Sequence, residues 1–166
     1  MTEGAALREA LVRSLGPWAS AAGAITGVLR LSWDRLEASL RGGTGPLRGE
    51  RMMLERLGAD EARALLEALP PKLGPSAQRM LALARREGMG LIGGWDAAAG
   101  VSKLYLNASD ASAALRRRLA QALGAPEAPP PHVLGLNLAT GAEELKAYVQ
   151  SPGMPPGAPA CLRRLV

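Results

Sequence analysis

Residues 101–107 read Val-Ser-Lys-Leu-Tyr-Leu-Asn, and their centre, Lys103-Leu104-Tyr105, returns as Lys146-Ala147-Tyr148 inside Glu-Leu-Lys-Ala-Tyr-Val-Gln at 144–150. Both tyrosines of the chain fall in these triplets, as do two of its three lysines, Lys72 being the third. Side chains alternate faces along a strand, so residues two apart point the same way. Each triplet therefore sets an ammonium beside a phenol, with Leu104 or Ala147 turned to the other side. A cation and a hydroxyl on one pleated surface, repeated on a second strand, can hold a polyanion such as a diphosphate, and a tyrosine ring can stack against a carbocation. For either triplet alone, an edge strand with a solvated lysine and a half-buried tyrosine is the plainer reading. Recurrence in matching contexts is what favours a site.

Working outward, the first triplet lies in the second arm of a hairpin predicted over residues 89–107, with Leu91-Ile92-Gly93-Gly94-Trp95 as first arm and 96–100 as turn. Another hairpin is predicted from 133–138, a turn at Thr140-Gly141, and 145–150. Leu91 to Lys103 and Leu134 to Lys146 are equal in length, and each ends in Lys-apolar-Tyr. An earlier hairpin, 25–33 with 36–40, joins them more weakly. It shares Trp33-Asp34 with Trp95-Asp96 and carries Glu37-Ala38-Ser39 where the others carry Lys-x-Tyr. Repetition of this kind marks a supersecondary unit used several times.

Helical spacing fills the intervals. Leu7, Leu11, Val12 and Leu15 predict a helix over 3–15, stopped by Gly16-Pro17. Pro46 is placed as an early helical residue for a segment through Arg51-Met52-Met53-Leu54. Asp60 can cap a helix over 61–69 that Pro70-Pro71 ends, and a further one runs from Pro75-Ser76 to Gly88. Ser109-Asp110 offers an N-cap for a helix to Leu123, with Gly124 supplying the left-handed residue at its end. The expected architecture is a single α+β domain over 1–166: repeated αββα units whose strands set edge to edge make an antiparallel sheet with helices on one face, followed by an irregular Pro-rich tail at 151–166. Enough copies close into a barrel whose lumen collects the inward residues. In that lumen Glu37 and Ser39 would join Lys103, Tyr105, Lys146 and Tyr148. A carboxylate among cations in a low-dielectric lumen can serve as general base; outside such a lumen, Glu37 reads as a surface strand residue.

The chain has 166 residues, a net charge of +5, 48% hydrophobic residues and no Phe, so Leu, Ala, Val and Met must build its core. The positive charge leaves nucleic acid, acidic membrane or a phosphorylated small molecule open. Arginine is scattered, however. Its one dense run, Arg116-Arg117-Arg118, fans round a predicted helix and cannot grip one phosphate, which with so few aromatics argues against nucleic acid. Cys161 and His132 are each the sole residue of their kind, which excludes an intrachain disulfide and a thiolate zinc site. No run of 18 apolar residues and no signal-peptide core is present, so a cytoplasmic protein without membrane insertion is expected.

At these residues the sequence resembles the ABBA-type aromatic prenyltransferases, within them the indole, dimethylallyltryptophan synthase-like branch. Leu36-Glu37-Ala38-Ser39-Leu40 looks like the early strand whose glutamate takes a proton from the aromatic substrate. Pro46-Leu47-Arg48 resembles the stretch whose arginine contacts the prenyl diphosphate, and the two Lys-x-Tyr strands look like those that bind diphosphate and shield the allyl cation. The resemblance implies αββα repeats around a β-barrel and electrophilic attack of an allyl cation on an electron-rich ring. It implies Glu37 as catalytic residue, Arg48, Lys103 and Lys146 as diphosphate contacts, and Tyr105 and Tyr148 as cation shield. It implies no metal and no further cofactor. Family barrels use about five repeats, whereas three hairpins are legible here over residues 25–151, so a homodimer or a second barrel half is an expected partner. Where the family often has a basic residue two before the lysine, this chain has Glu144, which would weaken anion binding if it faces inward. The alternative is a non-catalytic αβ module that binds a phosphorylated ligand, or a protein partner through open sheet edges.

Overall fold

The computed structural model describes residues 3–15, 35–41, 48–125, 129–149 and 160–165; for 35–41, 48–50 and 160–165, and at positions 3, 4, 7, 10 and 11, it describes the backbone alone. In chain order the elements are α1 (Glu3–Leu15), β1 (Arg35–Arg41), β2 (Arg48–Leu57), α2 (Ala59–Ala68), α3 (Pro75–Glu87), β3 (Leu91–Asp96), β4 (Val101–Asn107), α4 (Ala113–Leu123), β5 (Val133–Ala139), β6 (Ala142–Val149) and β7 (Ala160–Leu165), with a 3-10 turn, Ala97–Ala99, between β3 and β4. The class is α+β. Two αββα units, α1-β1-β2-α2 and α3-β3-β4-α4, are followed by the β5-β6 hairpin and β7. All strands form one antiparallel sheet in the order β1 to β7, so among the described residues β1 and β7 are its outer strands and do not pair with each other.

Strand alternation divides the sheet into two chemically distinct faces. On one face Met52, Leu54, Leu91, Trp95, Leu104, Leu106, Leu134, Leu136, Leu138, Leu145 and Ala147 are buried. The helices lie there: α1 packs on β2 and β3, α2 on β3, α3 on β4, and α3 against both α2 and α4. Leu65 of α2 sits directly over Gly93, where a Cβ would come within 2.6 Å of its Cδ2 and 3.0 Å of Leu57 Cδ1. Glycine here lets the helix seat on the strand. Trp95 is fully buried, with Nε1 donating to Ser14 Oγ at 3.2 Å, so it packs against α1.

The loop after α2 and the start of α3 are tied to the same face by two polar contacts. Ser102 Oγ, fully buried, donates to the Pro70 carbonyl at 2.7 Å. Glu143 of β6 accepts from the backbone N–H groups of Ser76 and Ala77, at 2.8 and 3.1 Å, and thereby caps α3 from a distant strand. The N-cap residue of that helix, Gly74, makes no side-chain cap. A Cβ on Gly74 would lie 2.5 Å from the Glu143 carboxyl carbon, so the capping carboxylate occupies the space that a side chain would need.

Several expectations need correction. The segment after Pro46, expected to be helical, is strand β2: Met52, Leu54 and Leu57 are buried while Arg51, Met53 and Glu55 are half-buried. Period two prevails because β2 pairs on both sides, with β1 and with β3. Its far end is bulged between Leu54 and Leu57, where Arg56 takes φ 57°. The helix cap expected at Asp60 is Gly58, and Asp60 instead stands in the first turn of α2, ion-paired with Arg85. Ser112, rather than Ser109 or Asp110, caps α4, its hydroxyl accepting from Leu115 N at 3.2 Å; Gly124 ends the helix in the left-handed region at φ 71° as expected. The tail expected to be irregular over 151–166 contains β7, which pairs with β6 from Val149↔Ala160 to Glu144↔Leu165. The open edge of β6 supplies the backbone donors and acceptors that recruit it. The strand expected over 25–33 and Trp33 lie outside the described residues.

Candidate functional site

The second face of the sheet carries the polar residues. Cross-strand register places Glu37, Met53, Gly94, Lys103, Asn137 and Glu144 in one row, and Gly135 with its neighbours Tyr105 and Lys146 in another. The Lys-x-Tyr triplets therefore share a face on β4 and β6, with β5 between them. Their registers are not equivalent: Lys103 pairs across its hairpin with Gly94, and Lys146 with Gly135. The equal lengths of sequence conceal this shift of two residues, which arises because β3 and β4 are joined through a 3-10 turn and Gly100, whereas β5 and β6 turn tightly at Thr140-Gly141.

Each lysine faces a strand position without a side chain. At Gly94 a Cβ would fall 2.1 Å from the Met52 carbonyl oxygen, so β2 and β3 approach there only because the residue is glycine. At Gly135 a Cβ would meet Tyr105 Cε1 at 2.7 Å, Tyr105 Cδ1 at 2.8 Å and Tyr148 Cε2 at 3.1 Å. Both rings thus lie over Gly135. Their centroids are 6.1 Å apart with planes inclined by 48°, a tilted aromatic pair.

Arg51, Asp96, Ala99, Val101, Lys103, Tyr105, Asn137, Glu144, Lys146 and Tyr148 line a cavity of about 370 Å³ on this face. Asp96, 2% exposed, is its anchor: Oδ2 accepts from Arg51 Nε at 2.9 Å and lies 3.9 Å from Lys103 Nζ, and Oδ1 accepts from Ala99 N at 3.1 Å. Lys103 is itself 8% exposed. On the opposite wall Glu144 Oε2 accepts from Asn137 Nδ2 at 2.8 Å and sits 3.2 Å from Lys146 Nζ. A carboxylate can only accept, so this contact fixes the Asn137 amide with its nitrogen toward Glu144. The other end, Oδ1, is enclosed with no hydrogen-bond partner among the described residues. Three cations and two carboxylates thus meet in one cavity.

Of the expected site residues, Lys103, Tyr105, Lys146 and Tyr148 come together here. Glu37 lies on β1 in the same cross-strand row as Lys103, and Arg48 opens β2 opposite Arg41; their side chains lie outside the described residues. Arg51, Asp96, Asn137 and Glu144 join Lys103, Tyr105, Lys146 and Tyr148 in the cavity lining. Glu144 faces inward, the orientation in which its charge opposes an anion. Arg51 and Asp96 are not legible as site residues in the sequence, whose local pattern suits a helix through Arg51 and a turn beginning at Asp96. Alternation of Met52 and Leu54 against Arg51 and Met53 was the available signal. Ser39 pairs with Arg51, and so belongs to the row that ends at Asp96 and Val101.

His132 holds a structural position. Its carbonyl accepts from Ala108 N and its N–H donates to the Tyr148 carbonyl, both at 2.8 Å, while Nδ1 lies 2.8 Å from Arg116 Nη1. Arg118 reaches Glu87 at 3.4 Å, so neighbours in the arginine run point to separate partners. Among the described residues no group of three His, Cys, Asp or Glu could hold a metal ion, and no helix is long and apolar enough to cross a membrane. Comparisons with family models, with curated proteins and with solved structures return no match.

Proposed function

We propose that the cavity face of the sheet binds an allylic diphosphate and that the chain acts as an aromatic prenyltransferase, transferring the allyl group to an electron-rich ring of indole type. The observation that carries this reading is the convergence of both Lys-x-Tyr triplets on one cavity, with the two phenol rings paired over Gly135. Lys103, Lys146 and Arg51 are the cations for the diphosphate. Arg51 is suited to it because Asp96 takes only its Nε, while its terminal nitrogens have no hydrogen bond among the described residues and can form a bidentate grip. As the carbon–oxygen bond to diphosphate breaks, positive charge develops on the allyl group. The faces of Tyr105 and Tyr148 screen that charge. Glu37, on the row of Lys103, is the residue assigned to take the proton released when the ring is alkylated, and Arg48 a further diphosphate contact.

A second reading, a module that binds a phosphorylated ligand without turnover, is favoured by the linear order of the sheet. An allyl cation needs a water-excluding enclosure. A second copy of the chain, or another barrel half, set against β1 and β7 would provide one.

Calorimetry with dimethylallyl diphosphate on wild type and on Lys103→Ala/Lys146→Ala tests the binding step. Micromolar binding that weakens at least a hundredfold in the double variant is expected, since two charge-assisted contacts are lost. A folded wild type that binds nothing refutes the proposal. Prenylated indole on incubation with both substrates separates the enzyme from the binding module.

A further inference from the structure

A diphosphate site needs cations, yet this cavity holds a carboxylate against each lysine. Asp96 has an evident structural use: nearly inaccessible, it pins Arg51 and closes the 3-10 turn through Ala99 N. Glu144 is different. It stands on the cavity wall, half-buried, and a single oxygen, Oε2, meets both Lys146 Nζ and Asn137 Nδ2. Its neighbour Glu143 faces the opposite side of the sheet and caps α3, so of the two glutamates one serves the helical face and the other lines the cavity.

We infer that Glu144 is an anion-discriminating residue of the cavity, holding Lys146 in competition with the ligand and opposing bound anions the more strongly the greater their charge. This rests on the reading of the cavity as a diphosphate site and adds a direction to it. An arriving anion must draw Lys146 from Glu144, and the carboxylate then remains beside the ligand as a like charge in a partly water-excluded space, where repulsion is stronger than in bulk solvent. The effect on inorganic pyrophosphate exceeds that on a prenyl diphosphate, because one esterified oxygen of the latter carries no charge. Glu144 thus favours substrate over released product, limits product inhibition, and keeps the empty site from retaining free phosphate.

The test is titration calorimetry of wild type, Glu144→Gln and Glu143→Gln with inorganic phosphate, inorganic pyrophosphate and dimethylallyl diphosphate at constant ionic strength. Glu144→Gln is nearly isosteric, and its amide oxygen can still accept from Asn137 Nδ2. Expected is a gain of about tenfold in pyrophosphate affinity for Glu144→Gln, as for removal of one like charge at a partly screened site. Smaller gains are expected for dimethylallyl diphosphate and for phosphate. Glu143→Gln alters net charge equally on the other face, and its anion affinities are expected to stay within twofold of wild type. Binding by the wild type with no gain in Glu144→Gln, or an equal gain in both variants, overturns the inference and leaves the diphosphate site standing. Binding of no anion by either wild type or Glu144→Gln overturns the site and the inference together. Binding by Glu144→Gln alone overturns the reading of the wild-type cavity as a diphosphate site, and with it the discrimination assigned to Glu144.

Discussion

Replacing Gly135 by alanine adds one methyl carbon beneath both tyrosines, and the structure fixes where it goes. The new Cβ would lie 2.7 and 2.8 Å from two carbons of the Tyr105 ring and 3.1 Å from Tyr148 Cε2. Carbon pairs rest at about 3.5–4.0 Å, so Tyr105 must retreat by roughly 0.7–1.3 Å and Tyr148 by roughly 0.4–0.9 Å. Both rings border the cavity, and both will swing into it. Overpacking of this kind costs about 1–3 kcal/mol. Loss of glycine's freedom in the unfolded chain offsets about 0.4–1 kcal/mol. A net destabilisation of about 1 kcal/mol is expected, with a larger proportional effect on affinity for the proposed diphosphate ligand, since the displaced rings would enter the cavity proposed to hold it. Two assays read this out. Urea unfolding gives the stability change, and tyrosine-selective ring labelling reports the rings directly, because the chain has only two tyrosines. Both sets of ring resonances should shift. A Gly135→Ala protein with wild-type tyrosine spectra and unchanged stability would refute the seating of both rings over Gly135 and, with it, the convergence of the two triplets.

Two further substitutions test the supports of the site. Glu143→Ala removes the carboxylate that accepts from Ser76 N and Ala77 N and is expected to lower stability by about 1–2 kcal/mol in urea, as loss of a helix cap does; an unaltered unfolding midpoint would mean that α3 is not capped from β6. Ser102→Ala leaves the Pro70 carbonyl without its buried donor, with an expected cost of about 1–3 kcal/mol and little change in anion affinity, since Ser102 points away from the cavity; a neutral effect on stability would place the 70–71 loop elsewhere.

The repeated triplet carried much of the fold in advance. Alternation in 101–107 and 133–138, with glycine-bearing turns, specified the two central hairpins, and helical spacing specified α1, α3 and the end of α4. The structure departs from local pattern where local and tertiary preferences compete. Arg51 to Leu57 has consecutive methionines and leucines that suit either period, and pairing with two neighbouring strands decides for β2. At 160–165 the sequence is short and follows a proline-rich stretch, so nothing local marks a strand; the edge of β6 does. The α3 cap was invisible for a similar reason, because Glu143 reaches it from 67 residues away. For the site, parity along a strand sufficed to put Lys103 and Tyr105 on one face. Register was what the sequence could not supply, and register decides that Gly135 lies between Tyr105 and Lys146 while Asn137 lies between Lys103 and Glu144.

The two faces also explain why charge is tolerated where it is. A sheet with helices packed on one side assigns every second strand residue to the core, and here those positions are leucine, alanine, methionine or tryptophan almost throughout. The opposite face is relieved of core packing, yet Lys103 is only 8% exposed there and Asp96 2%. Burying such groups is costly unless they are paired, and each cation of the cavity has a carboxylate close by: Asp96 for Arg51 and Lys103, Glu144 for Lys146. A surface required only for folding would be better served by apolar residues of similar volume. Five ionisable groups around 370 Å³, with two phenol rings over a glycine between them, are what the proposed ligand would require, since it would exchange with those pairs.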